Sequence, residues 1–436
     1  MKVSLYTYLF EKEGICYLYN SQTGLFSKLT RSVYEALYNH DIGGLDVEVQ
    51  KVLKEKQVIV EDERLYDFYH YCRHNFFTSI GNCRKLELVL APTTACNFSC
   101  PYCFEGEKEN KRMTPDVIDS LIQFIKSYSD SKELAITWYG GEPLIAFDII
   151  KKIVCRIKAE CSQELVHQSI VTNGYLINED VMGFLKSENF KNIQITFDGT
   201  EENHNKTRCL KGSMKPTFGR IMDNVGRLAE EMPTDFQISL RININRDNEN
   251  DFIVMHDQVR KRFGSDRVTV YPGFIREDCK DGSRLCYKSL TGKAMFDFYR
   301  RLDAKGAAVD FYPKKKVKGC MVCRNNAFII GPAGEMYKCW NDFNHEEKIV
   351  GYIQGKKITN ATLLDRYGYE ATLYSDPKCK ECMMFPICDG GCGWMRNKNV
   401  FEGKEYNLCT YLTDRSCLEE CLLKNHKTGA DSISAW

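Results

Sequence analysis

From Lys85 onward strand-like and helix-like segments alternate six times, which leaves few folds open. The strand candidates are "KLELVLAP", "ELAITWYG", "QSIVTNG", "NIQITFDG", "FQISLRININ" and "RVTVYPGF". Between them lie helical patterns such as "TPDVIDSLIQFIKSYS", "IAFDIIKKIVCRIKAEC" and "FGRIMDNVGRLAEEM". Alternation of this kind predicts an α/β fold, a parallel sheet with helices outside. Six units predict a partial (β/α)6 barrel, open on one side. The polar and Gly-rich signatures all fall where strands end, at the cysteine loop, "YGGEP", "TNG" and "DGT". That rim is where barrel-like α/β folds build their sites.

The flanks differ from this middle region. Residues 1–84 open with three short strand-like runs, "SLYTYLF", "ICYLYN" and "LFSKLT", separated by Glu-Gly and Thr-Gly turn signals. Helical patterns follow at "RSVYEALYNH" and "EVQKVLKEK", which together read as a winged-helix-like module. Residues 85–312 carry the alternation, and in residues 313–436 it stops while cysteine density rises. The run Pro313 to Lys318 reads as a solvated linker.

Sixty basic against fifty-nine acidic residues leave almost no net charge, so bulk electrostatics favour neither nucleic acid nor an acidic membrane. No apolar run is long enough to span a bilayer, and charges at Glu11, Lys12 and Glu13 interrupt any signal-peptide pattern. A cytoplasmic location is the expectation. In such a chain 21 cysteines read as metal ligands or reactive thiols before disulfides.

Three of them, Cys96, Cys100 and Cys103, are spaced C-x3-C-x2-C after the first of the six strand candidates. Three thiolates without an obvious fourth suit a [4Fe–4S] cluster with one open iron, whereas a structural zinc site takes four protein ligands. Tyr102 places an aromatic just before the third cysteine, and "GGEP", Gly140 to Pro143, ends the next strand. Here the sequence resembles the radical S-adenosylmethionine (radical SAM) superfamily.

The resemblance implies that Cys96, Cys100 and Cys103 hold the cluster and that its open iron takes the amino and carboxylate groups of SAM. Gly140, Gly141, Glu142 and Pro143 would bind the methionine ammonium through closely approaching carbonyls and a carboxylate. Thr172, Asn173 and Thr196, with Tyr102, match the family's other cofactor contacts. Asp198, His204 and Arg208 read equally as cofactor contacts or as ordinary loop and helix-start residues. Arg241 and Asn243 are weaker candidates.

The tail spacing runs Cys323-x10-Gly334-x4-Cys339, then Cys379-x2-Cys382-x5-Cys388-x3-Cys392, then Cys409. It resembles the SPASM domain, which binds auxiliary [4Fe–4S] clusters; a zinc ribbon would leave three or more cysteines unexplained. The family pattern implies one cluster on Cys323, Cys339 and Cys392, with Cys320 as fourth ligand. It implies another on Cys379, Cys382, Cys388 and Cys409, making three clusters per chain. Of the other cysteines, Cys16, Cys72, Cys83, Cys209, Cys279 and Cys286 show no partner pattern, and Cys417 and Cys421 share a helix face. These read as structural.

The resemblance points to a maturase of ribosomally made peptides, forming an intramolecular crosslink: a thioether first, a carbon–carbon bond next. The N-terminal module would capture the precursor's leader as an added strand at "SLYTYLF" and "ICYLYN". A flavodoxin or ferredoxin would supply electrons. Sulfatase-maturing relatives usually carry aspartate directly after the second cysteine of the Gly-containing motif. Here Trp340 follows Cys339, and Asp342 lies further on. Formylglycine formation is therefore the alternative, and a metal-stabilised peptide binder without radical chemistry is the non-enzymatic one.

Overall fold

A computed structural model describes residues 1–103, 109–264, 267–275, 289–307, 313–314 and 320–426. Cys279 and Cys286, and most of the run Pro313 to Lys318, lie outside the described residues. The chain divides into two compact units. The first comprises residues 1–80, 291–320 and 369–436, and the second residues 81–290 and 321–368.

In the first unit, a two-stranded ribbon pairs β1 (Lys2–Val3) with β5 (Ile59–Val60). A three-stranded antiparallel sheet holds β2 (Thr7–Lys12), β3 (Ile15–Asn20) and β4 (Leu25–Leu29) in the order β2-β3-β4. The expected edge at "ICYLYN" is therefore the central strand, its backbone paired on both sides.

Alternation along β2 and β3 divides the side chains between two faces. Leu9 and Leu18 join Val33, Leu37 and Leu53 from helices α1 (Arg31–Tyr38) and α2 (Val47–Glu55). Tyr8, Phe10, Tyr17 and Phe26 instead pack with Leu412, Cys417, Leu418, Cys421 and Leu422 near the C-terminus. Their rings stack, Phe10 on Tyr17 at 5.0 Å and Tyr17 on Phe26 at 5.5 Å. The third helix, α3 (Asp67–Ile80), has aromatic residues along much of its length and gives no clean 3.6-residue stripe. It packs against the segment carrying Tyr374 and Phe385.

The second unit is built on a ten-stranded sheet. Six parallel strands run in chain order: β6 (Lys85–Leu90), β7 (Glu133–Trp138), β8 (Glu164–Thr172), β9 (Phe190–Phe197), β10 (Gln237–Ile244) and β11 (Val268–Phe274). They form the partial barrel, with α4 (Pro115–Lys126), α5 (Phe147–Glu160), α6 (Glu179–Ser187), α7 (Glu201–Thr207), α8 (Phe218–Glu231) and α9 (Glu249–Phe263) between strands. Along β7, Leu134, Ile136 and Trp138 are buried while Ala135 and Thr137 are only half-buried, the period-2 pattern of a strand with one fully covered face.

The cysteine-rich region contributes to this sheet. β12 (Ala327–Ile330) pairs in parallel with β6, and β13 (Glu335–Tyr337), β14 (Gly351–Tyr352) and β15 (Lys357–Ile358) continue antiparallel. Cys323 and Cys339 thus belong to the barrel unit, and Cys320, Cys379, Cys382, Cys388, Cys392 and Cys409 to the first.

Candidate active site at the strand ends

The loop after β6 is pinned before it reaches its thiols. Thr93 donates its hydroxyl to the Lys111 carbonyl at 2.7 Å and accepts from the Ala95 amide at 3.0 Å. Further on, the Lys211 amide donates to the Asn97 carbonyl at 2.8 Å, and Phe98 bridges to Leu210. Cys96, Cys100 and Cys103 are half-buried on this loop. The Cys96 sulfur accepts from the Phe98 amide at 3.4 Å. Among the described residues no three His, Cys, Asp or Glu side chains stand close enough to hold a metal ion. Ionised thiols repel one another, and it is the metal that gathers them.

Gly140 and Gly141 follow β7 where its chain crosses this loop. A Cβ on Gly141 would collide with the carbonyl oxygens of Thr94 and Ala95, and Gly140 has φ +118° against Thr93. The Gly141 amide bonds to the Thr93 carbonyl (3.2 Å) and the Glu142 amide to Ala95 (2.8 Å). Both glycines are thus required by the approach of two backbones, a reason that spacing alone does not reveal.

Glu142 is 1% exposed. Its carboxylate accepts from the Leu144 amide (3.1 Å), the Thr172 hydroxyl (2.7 Å) and the Asn173 amide (2.7 Å). Burial pushes its pKa up, and those donors act in the opposite direction. Pro143 takes the first position of the short helix that Glu142 caps. The Asn173 side chain donates to Asn97 Oδ1 at 2.7 Å, while Asn97 Nδ2 is buried with no hydrogen-bond partner. Asn97, inside the cysteine loop, thus joins this cluster of strand-end residues, and sequence reasoning did not single it out.

At the end of β9, Thr196 is half-buried and pairs in register with Arg241. Asp198, 3% exposed, accepts from Tyr102 Oη, from Thr207 Oγ1 (2.6 Å) and from Asn243 Nδ2 (3.2 Å). Arg208 donates to Tyr102 Oη at 3.2 Å and lies 3.8 Å from Asp198. Asp198 and Arg208 are therefore tied to the residue before the third cysteine.

His204 is not. It lies between Phe197 and Phe218 with its Nε2 3.0 Å from Thr217 Oγ1. Burial, aided by the Arg208 charge, pushes its pKa down to about 3. It is a neutral core histidine. A cavity of about 410 Å³ opens beside Tyr102, lined by Pro101, Asp198, Asn203, Thr207 and Asn248 among others.

Residues 90–259 match the family model of the radical SAM superfamily. That segment is a radical SAM domain. A cysteine-type anaerobic sulfatase-maturating enzyme from Clostridium novyi (strain NT) is 25% identical over 367 residues, spanning 74% of this chain and 92% of the relative. Among solved structures, anSMEcpe with bound AdoMet and Cp18Cys peptide aligns with a TM-score of 0.60 and 19% identity, over 79% of this chain and 98% of that one. Streptococcus suis SuiB bound to its precursor peptide SuiA aligns with a TM-score of 0.50 and 15% identity, over 94% and 99%. At these identities the structures establish the common fold. Radical SAM enzymes of this group bind SAM and [4Fe–4S] clusters.

Two further features bear on the tail. Trp340, directly after Cys339, packs edge to face on Tyr139 with centroids 4.5 Å apart, and Tyr139 immediately precedes Gly140. Asp342 is fully buried, and its carboxylate accepts from Tyr367 Oη at 2.7 Å. In the first unit, burial pushes the Cys379 thiol up to about 11, with Cys382 and Cys388 adding like charge. Cys388 is pushed up by burial in the same way, with Cys382 and Cys409 adding to it. Arg396 bonds to Asp376 at 3.1 Å and to the Gly390 carbonyl at 2.8 Å, bracing this loop.

Proposed function

We propose that this radical SAM enzyme forms an intramolecular crosslink, a thioether in the first instance, in a ribosomally made precursor peptide. The observation that carries the choice is at Cys339. The next residue is an indole packed on Tyr139, and the nearby carboxylate of Asp342 is buried and already engaged by Tyr367. Sulfatase-maturing relatives usually carry aspartate directly after that cysteine, and the indole here departs from that pattern. The fold likeness to SuiB over 94% of this chain, against 79% for anSMEcpe, supports the same reading. SuiB is itself captured with a precursor peptide.

The rim residues fit the cofactors. Three half-buried thiols share one pinned loop, the glycines fill a cradle that a Cβ would block, and Asn97 Nδ2 is an orphaned donor. Cys96, Cys100 and Cys103 would hold one [4Fe–4S] cluster; Gly140, Gly141, Glu142, Thr172, Asn173, Thr196 and Tyr102 would hold SAM. When bound, these groups would supply hydrogen-atom abstraction from the peptide, and clusters held by the tail cysteines would take up the electron that crosslink formation releases.

Around them the chain's own residues orient and exclude. Thr93 and the Lys211 amide fix the thiol loop. Glu142 holds the ends of β7 and β8 together. Trp340 packs on Tyr139, directly before the Gly140–Gly141 turn, and adds apolar cover next to that turn. The thiol proton leaves to solvent. A flavodoxin- or ferredoxin-type protein would be the electron donor.

The sulfatase-maturating relative, matched over 92% of its length, favours formylglycine formation as a second reading. Anaerobic incubation with SAM, dithionite and a candidate precursor separates the two. A crosslink removes two hydrogens and leaves the thiol unable to react with an alkylating agent. Formylglycine gives a hydrazide-reactive aldehyde. An aldehyde without loss of further thiols would replace the first reading by the second, and absence of 5′-deoxyadenosine would sink both.

A further inference from the structure

Tyr6, between β1 and β2, is 1% exposed. Its ring meets Phe68 edge-on at 5.4 Å and stacks with Phe385 at 6.3 Å. Cys72, Tyr374 and Cys382 pack against the same cluster. The Tyr6 hydroxyl is buried there without a hydrogen-bond partner. An O–H donor left unsatisfied in the interior is destabilising, and phenylalanine would fill the same space without it. The ionisable groups around it are Cys72, Tyr69, Cys382 and Tyr374. A neutral thiol is a weak acceptor, so the donor stays orphaned until a neighbouring sulfur carries charge.

We propose that Tyr6 is a positioning residue for the second tail cluster: its hydroxyl donates to the sulfur of Cys382 in the loaded enzyme, so the N-terminal module tunes a group carried by the C-terminal segment. The inference rests on reading Cys379, Cys382, Cys388 and Cys409 as the ligands of one cluster. Residues 1–80 and 369–436 belong to one compact unit, so Tyr6 and the cysteine loop are held in a common framework. Hydrogen bonds to cluster sulfurs favour the reduced, more negative state and raise its potential.

The test uses full-length enzyme, reconstituted anaerobically, in a Cys96→Ala/Cys100→Ala/Cys103→Ala background where only tail clusters remain. Tyr6→Phe is compared with its parent and with Cys72→Ala. Iron per chain is measured, the tail signals are titrated by electron paramagnetic resonance, and thermal midpoints are taken with and without iron. The Cys382-linked signal is identified by its loss in Cys379→Ser/Cys382→Ser.

In Tyr6→Phe, iron content is retained and that signal moves to more negative potential. The iron-free variant melts higher than its parent, because the orphaned donor is gone, and this gain disappears in the loaded form. Cys72→Ala leaves the potential in place. An unmoved potential in fully loaded Tyr6→Phe, or a shift caused by Cys72→Ala alone, overturns the proposal. A parent whose iron is unaffected by Cys379→Ser/Cys382→Ser refutes the ligand reading itself, and the role of Tyr6 falls with it.

Discussion

The Thr172 hydroxyl donates to the Glu142 carboxylate at 2.7 Å, tying the end of β8 to the loop after β7. Glu142 has almost no access to water, so its orientation depends on this bond and on the Asn173 and Leu144 amides. Thr172→Val keeps the shape and removes the donor, at a cost of about 1–3 kcal/mol. If that carboxylate serves SAM as proposed, affinity for SAM should fall by about tenfold for each 1.4 kcal/mol that is felt at the site. Equilibrium dialysis of reconstituted enzyme with labelled SAM measures it; unchanged affinity would detach Glu142 from SAM binding.

His204 gives a pH dependence with a definite sign. Its folded pKa is pushed down to about 3, whereas in the unfolded chain it titrates near the ordinary imidazole value of about 6.5. Between those values the unfolded chain binds a proton that the folded chain does not. Stability therefore falls as pH drops from about 6.5 toward about 3, with a slope approaching 1.4 kcal/mol per pH unit. His204→Gln, which can still bond to Thr217, should flatten that part of the profile in urea unfolding. An identical slope in the variant would assign the loss to other groups.

Trp340 should matter to coupling more than to radical generation. It touches Tyr139 but none of the hydrogen bonds that hold Glu142 or the thiol loop. An aromatic pair of this geometry contributes about 0.5–1.5 kcal/mol, so Trp340→Ala should lower peptide modification by about two- to tenfold. SAM cleavage without peptide should persist, and the ratio of 5′-deoxyadenosine to modified peptide should rise. A parallel loss of both activities in a variant that keeps its iron would place Trp340 in the radical-generating machinery instead.

These relationships were unequally legible in the sequence. The six parallel strands were readable because apolar runs bounded by Gly and Asn report local geometry, and "KLELVLAP" and "ELAITW" lie on β6 and β7 as read. The partner of a strand is not a local property. Nothing in "AFII" says that Ala327–Ile330 lies parallel to β6, and nothing in "ICYLYN" says that this strand is central. The two glycines were legible as a motif, but the close approach of Gly140 to Thr93, and of Gly141 to Thr94 and Ala95, needed coordinates. His204 was ambiguous because a histidine beside Asp198 and Arg208 looks the same in sequence whether it faces a ligand or, as here, Phe197 and Phe218.

The structure changes what removal of the N-terminal module should do. If residues 1–80 were a tethered recognition domain, deletion would weaken precursor binding and leave the remainder intact. Instead Tyr8, Phe10, Tyr17 and Phe26 cover Leu412, Leu418 and Leu422, and Tyr8 donates to Glu419 at 2.7 Å. Tyr69 and Phe76 cover Tyr374, beside the loop of Cys379 and Cys382. Burying one large side chain contributes about 1.5–3 kcal/mol, so uncovering several at once exceeds the stability of an ordinary domain. Deletion of residues 1–80 should therefore give a chain that aggregates or binds a hydrophobic dye, with about four fewer irons if the second tail cluster is lost. The milder changes Tyr8→Phe and Tyr66→Phe remove only bonds to Glu419 and Glu381 and should keep full iron. Iron analysis and size-exclusion chromatography decide. A monodisperse deletion variant with all its iron and only a raised KM for precursor would restore the module to a purely recognising role.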